Sequence, residues 1–468
     1  MTKALRLAIL VALTLLLGVN LKVDAYESPE EEALRHFLAI LRLDTQNPPG
    51  NEVLVVDYLR GVLQDAGIDA QVFARDPKRP NLVARLRGSG AKRPLLVMGH
   101  TDVVTVDASK WKHSPFAATR EGGYIYGRGT QDDKPSVVAG LMTLLQLKRS
   151  GATLDRDVIF LAEASEEGNG PFGINHMVAQ QWSEIDAEYC VAEGGGVVRT
   201  GGQVQFAAVA TTEKIAHTVR LVSRGPAGHG SVPLQSNAIV HLAQAVAKVA
   251  AWRTPMRLND TTRAYFSGLA AISSPEASAR YRAIVAGGDL EAVQAHLAAQ
   301  EPALDSRLRT SISPNIINGG YLRNVIPSEA EATLDIRALP DEDFAAFLEK
   351  LRALVGDPAI EVARVETYPT RPGAPPSRLD TEAYKAIDAA HRRVYGVPTL
   401  PSMLAGGTDM AQVRAKGVQC YGIGPIADTE DPALGFGAHS DQERILEDGF
   451  RKFIQVHFEI VRDLAVRR

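Results

Sequence analysis

The feature that most constrains this chain is a series of short apolar runs that each break off into acids, histidine or glycine: LLVMG before His100, DVIFLAEAS before Glu166 and Glu167, and YCVA before Glu193. Runs of that length suit strands buried on both faces, and they alternate with helical stretches such as PSVVAGLMTLLQLK and GINHMVAQQW. The alternation predicts an α/β domain with a mostly parallel central sheet, in which functional residues collect beyond the carboxyl ends of the strands.

Helical spacing of Leu34, Phe37, Leu38 and Leu41 predicts a first helix from Glu30 to Leu43, opened by Ser28 and Pro29. A second, from Val53 to Ala66, leads to strands Asn81 to Leu86 and Leu95 to Gly99. Near Lys214 the rhythm changes to α+β type: a strand HTVRLVSR, a Gly-rich loop GPAGHGS, a helix from Asn237 to Trp252 and an Ala-rich helical stretch to about Gln300. Strands around Ile316 to Tyr321 and Glu331 to Arg337 and a helix from Glu342 to Val355 complete that unit, and the proline-rich YPTRPGAPPSRLD marks the way out. The 468 residues leave room for about three average domains. The pattern resolves into two: an α/β catalytic domain over 26–214 and 368–468, interrupted by an α+β lid over 215–367.

With 51 Lys plus Arg against 55 Asp plus Glu, the net charge is −4, and no basic block offers a footprint for nucleic acid. Residues 1–25 read as a cleaved signal peptide: Lys3 and Arg6 precede an uncharged run from Leu7 to Val19, and Val23 and Ala25 suit a cleavage site before Tyr26. A secreted or periplasmic enzyme is expected, with an uncleaved anchor as the alternative, and no later segment has the length of a membrane span. Cys190 and Cys420 lie in apolar strand-like runs, which leaves two buried thiols or one disulfide open.

The chemistry sits in His100 of GHTDVV, Asp132 of GRGTQDDK, Glu167 of ASEEGNG, Glu193 of VAEGGG and His439 of AHSDQE. Imidazole nitrogen mixed with carboxylate oxygen suits Zn(II), and more carboxylates than one tetrahedral ion needs suggest two ions sharing one of them. Co(II) or Mn(II) would suit the same donors. Asp102, two residues beyond His100, is placed to orient its imidazole. The remaining histidines outside these motifs and GPAGHGS are taken as structural.

These motifs, with GHGS and in this order, resemble the two-zinc aminoacylase and carboxypeptidase family. That family includes yeast carboxypeptidase S, glutamate carboxypeptidase, acetylornithine deacetylase and succinyl-diaminopimelate desuccinylase. The resemblance implies that Asp132 bridges both ions, that His100 and Glu193 complete one site and Glu167 and His439 the other, and that Glu166 is the general base. It implies a cis peptide between Asp132 and Asp133. In the lid it makes His229 the donor to the developing oxyanion, from the same chain or across a homodimer. It gives Asn324, Arg337 and the Gly407–Thr408 backbone to the substrate, Arg337 as a bidentate grip on a carboxylate.

The stretch from about Arg253 to Asn315 resembles the enlarged lid of the carboxypeptidase S and secreted N-acyl amino acid hydrolase branch. The expected activity is hydrolysis of an amide next to a free carboxylate, in N-acyl amino acids or at the carboxyl end of short peptides. An aminopeptidase or a dedicated deacylase such as a desuccinylase would share the metals but not the pocket. An inert relative would have lost a ligand or Glu166, and neither is missing.

Overall fold

Strands covered on both faces need apolar residues along most of their length, and the central strands of this protein have them up to ends that carry His100 and Glu163. The computed structural model describes residues 27–288, 290–366 and 370–467. Strands Leu95–His100, Val158–Glu163, Tyr189–Ala192 and Gln419–Gly422 lie parallel to one another at the centre of a ten-stranded sheet. Every residue of the first three is buried, so they read as apolar runs that break only at those ends.

The flanks of the sheet turn antiparallel. Pro80–Leu86 and then Ala70–Ala74 extend one side, while Gln203–Glu213 and Gly196–Thr200 extend the other. Thr399–Leu404 pairs in parallel with Gln203–Glu213. Pro401 interrupts that strand's sequence pattern, and its place comes from the pairing and not from strand propensity.

Helix Lys134–Ser150 is buried over almost its whole length. It is packed between the sheet and the helices Pro29–Leu41 and Glu447–Ala465, where Phe37 stacks on Phe450 at 4.3 Å. The Lys134 ammonium donates to the carbonyls of Ile40 and Leu43 at 3.0 and 2.9 Å, which satisfies the open end of the first helix.

Beyond Lys214 the chain enters a separate four-stranded antiparallel sheet, ordered Ser311–Gly319, Glu329–Ala338, Ile215–Arg224, Ile360–Arg364. Ala330, Ala332, Leu334 and Ile336 point to one face, against helices Ala238–Ala251 and Phe344–Val355, as a period of two requires. The helices between them in sequence go elsewhere. Asp260–Ile272 and its followers carry Tyr265, Phe266 and Leu269 onto Phe206 and Leu400, so the stretch that reads as an enlarged lid docks on the catalytic sheet. The physical reason is that the helical face of the lid sheet is already filled by two helices, while Phe206 and Leu400 offer apolar surface.

The run from Leu7 to Val19 and the cleavage site lie outside the described residues. Among the described residues no helix is long and apolar enough to cross a membrane. Cys190 and Cys420 are neighbours in parallel strands, both buried with free thiols.

Candidate metal centre

His100 ends its strand directly above the start of the Lys134–Ser150 helix. Gly99 permits that approach, since a Cβ there would lie 2.9 Å from the Val137 nitrogen and 3.0 Å from Asp133 Oδ2. The Asp132–Asp133 peptide is cis. Asp102 is fully buried, and its carboxylate accepts from the backbone amides of Glu166 and Glu167 at 3.1 and 3.2 Å and from Asn47 Nδ2 at 2.8 Å. Its carbonyl accepts from His100 Nδ1 at 3.0 Å, closer than its carboxylate at 3.5 Å. His100 is thus oriented mainly by the backbone of residue 102, and the carboxylate holds the Glu166–Glu167 turn.

A carbonyl can only accept, so Nδ1 carries a proton, and Nε2 lies 2.9 Å from Asp132 Oδ1; burial opposes the charge, but Asp102 and Asp132 hold the imidazole well above its ordinary range. The other oxygen of Asp132 lies 3.1 Å from His439 Nε2, which is 3.2 Å from Glu167 Oε2. Asp132 therefore turns one oxygen to each imidazole. Ligand atoms of His100, Asp132 and Glu167, and of His100, Asp133 and Glu193, fall within 4.8 Å of one another.

Burial raises the Glu193 carboxyl well above its ordinary range, with Asp132 and Glu166 adding to the effect. Burial also pushes Asp133 up to about 7. Among the described residues, buried Glu167 Oε1 and Asp133 Oδ2 find no hydrogen-bond partner. Crowded acids and orphaned buried oxygens are what divalent cations relieve, and the mixed imidazole and carboxylate donor set fits them.

His439 has a φ of 63°, uncommon for a residue with a side chain. Its loop is held by Glu443, which is fully buried and accepts from Arg128 Nη1 at 2.6 Å, Gly129 N at 3.2 Å and Gln131 N at 2.7 Å. One side chain thereby ties the His439 loop to the loop carrying Asp132. Arg444 seats the same loop by pairing with Asp431 at 2.6 Å and stacking on Tyr124 and Phe436.

The lid residues make their contacts with their own neighbours in the lid. His229 is exposed and contacts Ser231 at 2.6 Å. It pairs with Val325 beside the exposed Asn324, whose carbonyl accepts from Gly230. Arg337 is engaged with Asp335 at 2.9 Å. Thr408 is buried, and its amide and hydroxyl both donate to Glu213, at 3.1 and 2.8 Å. The sequence reading gives the Gly407–Thr408 backbone to a ligand; in the structure the Thr408 amide is directed at Glu213, which is held in turn by Arg414.

Three residues outside the sequence reading join the site: Asn47, Glu443 and Arg371, whose guanidinium bonds Glu166. The only sequence signals were that Glu443 closes the AHSDQE motif, with no role read for it there, and that Arg371 lies in the proline-rich exit.

A central sheet whose strands end on His and acidic residues, with a shared carboxylate between two imidazoles, defines a metallohydrolase that acts on peptide or linear amide bonds. Residues 96–463 match Peptidase family M20/M25/M40, and the chain belongs to that family. It is 28% identical over 383 residues to "Probable carboxypeptidase S-like 2" of Dictyostelium discoideum, covering 79% of this chain and 72% of that protein. It is 24% identical over 445 residues to "Aminoacylase-1" of Mus musculus, covering 94% and 97%. Its fold matches an M20 family metallo-carboxypeptidase from Sulfolobus solfataricus with a TM-score of 0.67 at 22% identity, covering 92% and 98%.

Proposed function

We propose that this protein is a two-zinc hydrolase that cleaves an amide next to a free carboxylate, in N-acyl amino acids or at the carboxyl end of short peptides. The observation that carries the reading is Asp132, with one oxygen toward His100 and the other toward His439, beside a glutamate, Glu166, that has no place in either ligand group. The relatives support the substrate class, because a carboxypeptidase and an aminoacylase both cut an amide adjoining a carboxylate.

In this reading His100 and Glu193 would hold one ion and Glu167 and His439 the other, with Asp132 common to both groups. When bound, two divalent cations supply Lewis acidity that polarises the scissile carbonyl and makes water a better nucleophile near neutral pH. Glu166 takes the proton from the attacking water and returns it to the leaving amine. Arg337, now on Asp335, is the lid guanidinium that a substrate carboxylate would claim.

His229 and Asn324 reach a site from a second copy. Support for this comes from the lid edge strand Ser311–Gly319, which among the described residues pairs on one side only. Ile316 and Ile317 stand exposed along it, and Tyr321 and Leu322 stand exposed just beyond its end.

The test is a panel of N-acyl amino acids and their carboxamide analogues, assayed with zinc-reloaded wild type and Glu166→Gln. The carboxamides should show kcat/KM about ten- to a hundredfold lower, the worth of a charge-assisted pair. Glu166→Gln should lose about 10²–10⁴ in kcat with its zinc content unchanged. Equal turnover of acids and amides would reject the substrate class, and an active Glu166→Gln would reject the base.

A further inference from the structure

Arg371 arrives on the crossing from the lid back to the catalytic domain, a segment pinned to the central sheet by Ser377. The Ser377 amide donates to the Thr211 carbonyl at 2.8 Å and its hydroxyl to the Cys420 carbonyl at 2.7 Å. Pro372 keeps Arg371 extended, and Gly407 lets its side chain pass, since a Cβ there would lie 3.0 Å from Arg371 Cδ. The guanidinium is mostly buried, and its Nη2 donates to Glu166 Oε1, to the Glu166 carbonyl at 3.1 Å and to Asp409 Oδ1 at 3.4 Å. Among the described residues its hydrogen bonds and ion pairs go to Glu166 and Asp409 and to none of Asp132, Glu167 and Glu193.

We propose that Arg371 is a positioning residue for Glu166: by holding Oε1 and the backbone carbonyl together, it turns Oε2 toward the reacting water and keeps Glu166 from serving as a further metal ligand. A glutamate beside two cations has two ways to bind, as base or as ligand, and a guanidinium engaged on one oxygen biases it to the first. The contact to the carbonyl of the same residue fixes the peptide as well as the carboxylate, which a contact to the side chain alone would not do.

Asp409 accepts from the same nitrogen and so anchors the arginine when the Glu166 carboxylate shifts during turnover. The inference rests on the assignment of Glu166 as base, and its test separates the two. Arg371→Ala should lose at least about tenfold in kcat, within the ~10²–10⁴ that a general base contributes, while KM stays within about threefold. Arg371→Lys should recover part of that loss. Added guanidinium should restore activity to Arg371→Ala in a saturable manner, a rescue that a merely structural role would not give.

In the Glu166→Gln background, removing Arg371 should cost nothing more, as expected for two residues acting as one unit. Zinc stoichiometry and the melting temperature of Arg371→Lys serve as the controls for folding. An Arg371→Ala enzyme with normal kcat, alongside an inactive Glu166→Gln, overturns the inference and leaves the base in place. A raised KM with unchanged kcat, or losses that add in the double variant, also overturns it and makes Arg371 a substrate contact. An active Glu166→Gln removes the base assignment itself.

Discussion

At the scale of single residues, the centre depends on side chains whose work is to hold others. Asp102 spends its carboxylate on two amides of the Glu166–Glu167 turn and on Asn47, and Glu443 spends its own on the loop that ends at Asp132. Arg128 is as buried as Glu443, so Glu443→Gln leaves a guanidinium without its counter-charge. We expect that variant to lose about 3–5 kcal/mol of stability, the cost of breaking one half of a buried pair. Urea unfolding of the metal-free protein measures it, and a loss below about 1 kcal/mol would show that the brace is dispensable.

The residues of the candidate centre stood out in the sequence because each lies in a short motif, several directly after a strand-like run. Arg371 was not, because its partner Glu166 lies 205 positions away and nothing local marks the meeting. Thr408 was legible as a loop residue but not in its orientation, which Glu213 decides from another strand.

Among the elements, the helix Glu447–Ala465 carries a buried imidazole with no acid beside it. His457 sits against Thr143 Oγ1 at 2.8 Å on helix Lys134–Ser150, and burial pushes it down to about 4. The unfolded chain titrates near pH 6.5, so the folded state disfavours the proton. Stability is complete above that value and is lost as pH falls from about 6.5 toward 4. At pH 4.5 this one group should cost roughly 2–3 kcal/mol. His457→Gln keeps a partner for Thr143 but does not titrate, so its stability, followed by denaturation at a series of pH values, should decline less steeply than that of the parent. Parallel slopes for the two proteins would assign the acid sensitivity to other groups.

The central strands and covering helices were readable from periodicity, while Thr399–Leu404 was not. It has a proline within it and is a strand because Gln203–Glu213 presents an edge for it.

For the whole molecule, the placement of His229 among its neighbours in the lid makes a quantitative expectation about assembly. If His229 works across a two-fold interface, His229→Ala and Glu166→Gln should each be inactive alone. Mixed after dissociation, they should regain about a quarter of wild-type activity, since half of the dimers are hybrids with one intact site. No recovery on mixing would place His229 in the site of its own chain. Ile317→Lys on the exposed lid edge should yield monomers in sedimentation and the activity of His229→Ala, and an unchanged dimer would move the interface elsewhere.

The layered α/β architecture, the family resemblance and the candidate metal residues could be read from the chain alone, because buried strands and the loops at their ends leave local patterns. Which cation meets Glu166, and that helices inserted in the lid rest on the catalytic sheet, emerged from the folded arrangement. Those outcomes depend on where distant segments meet and on which apolar surface is still uncovered, and neither is written in any one stretch of chain.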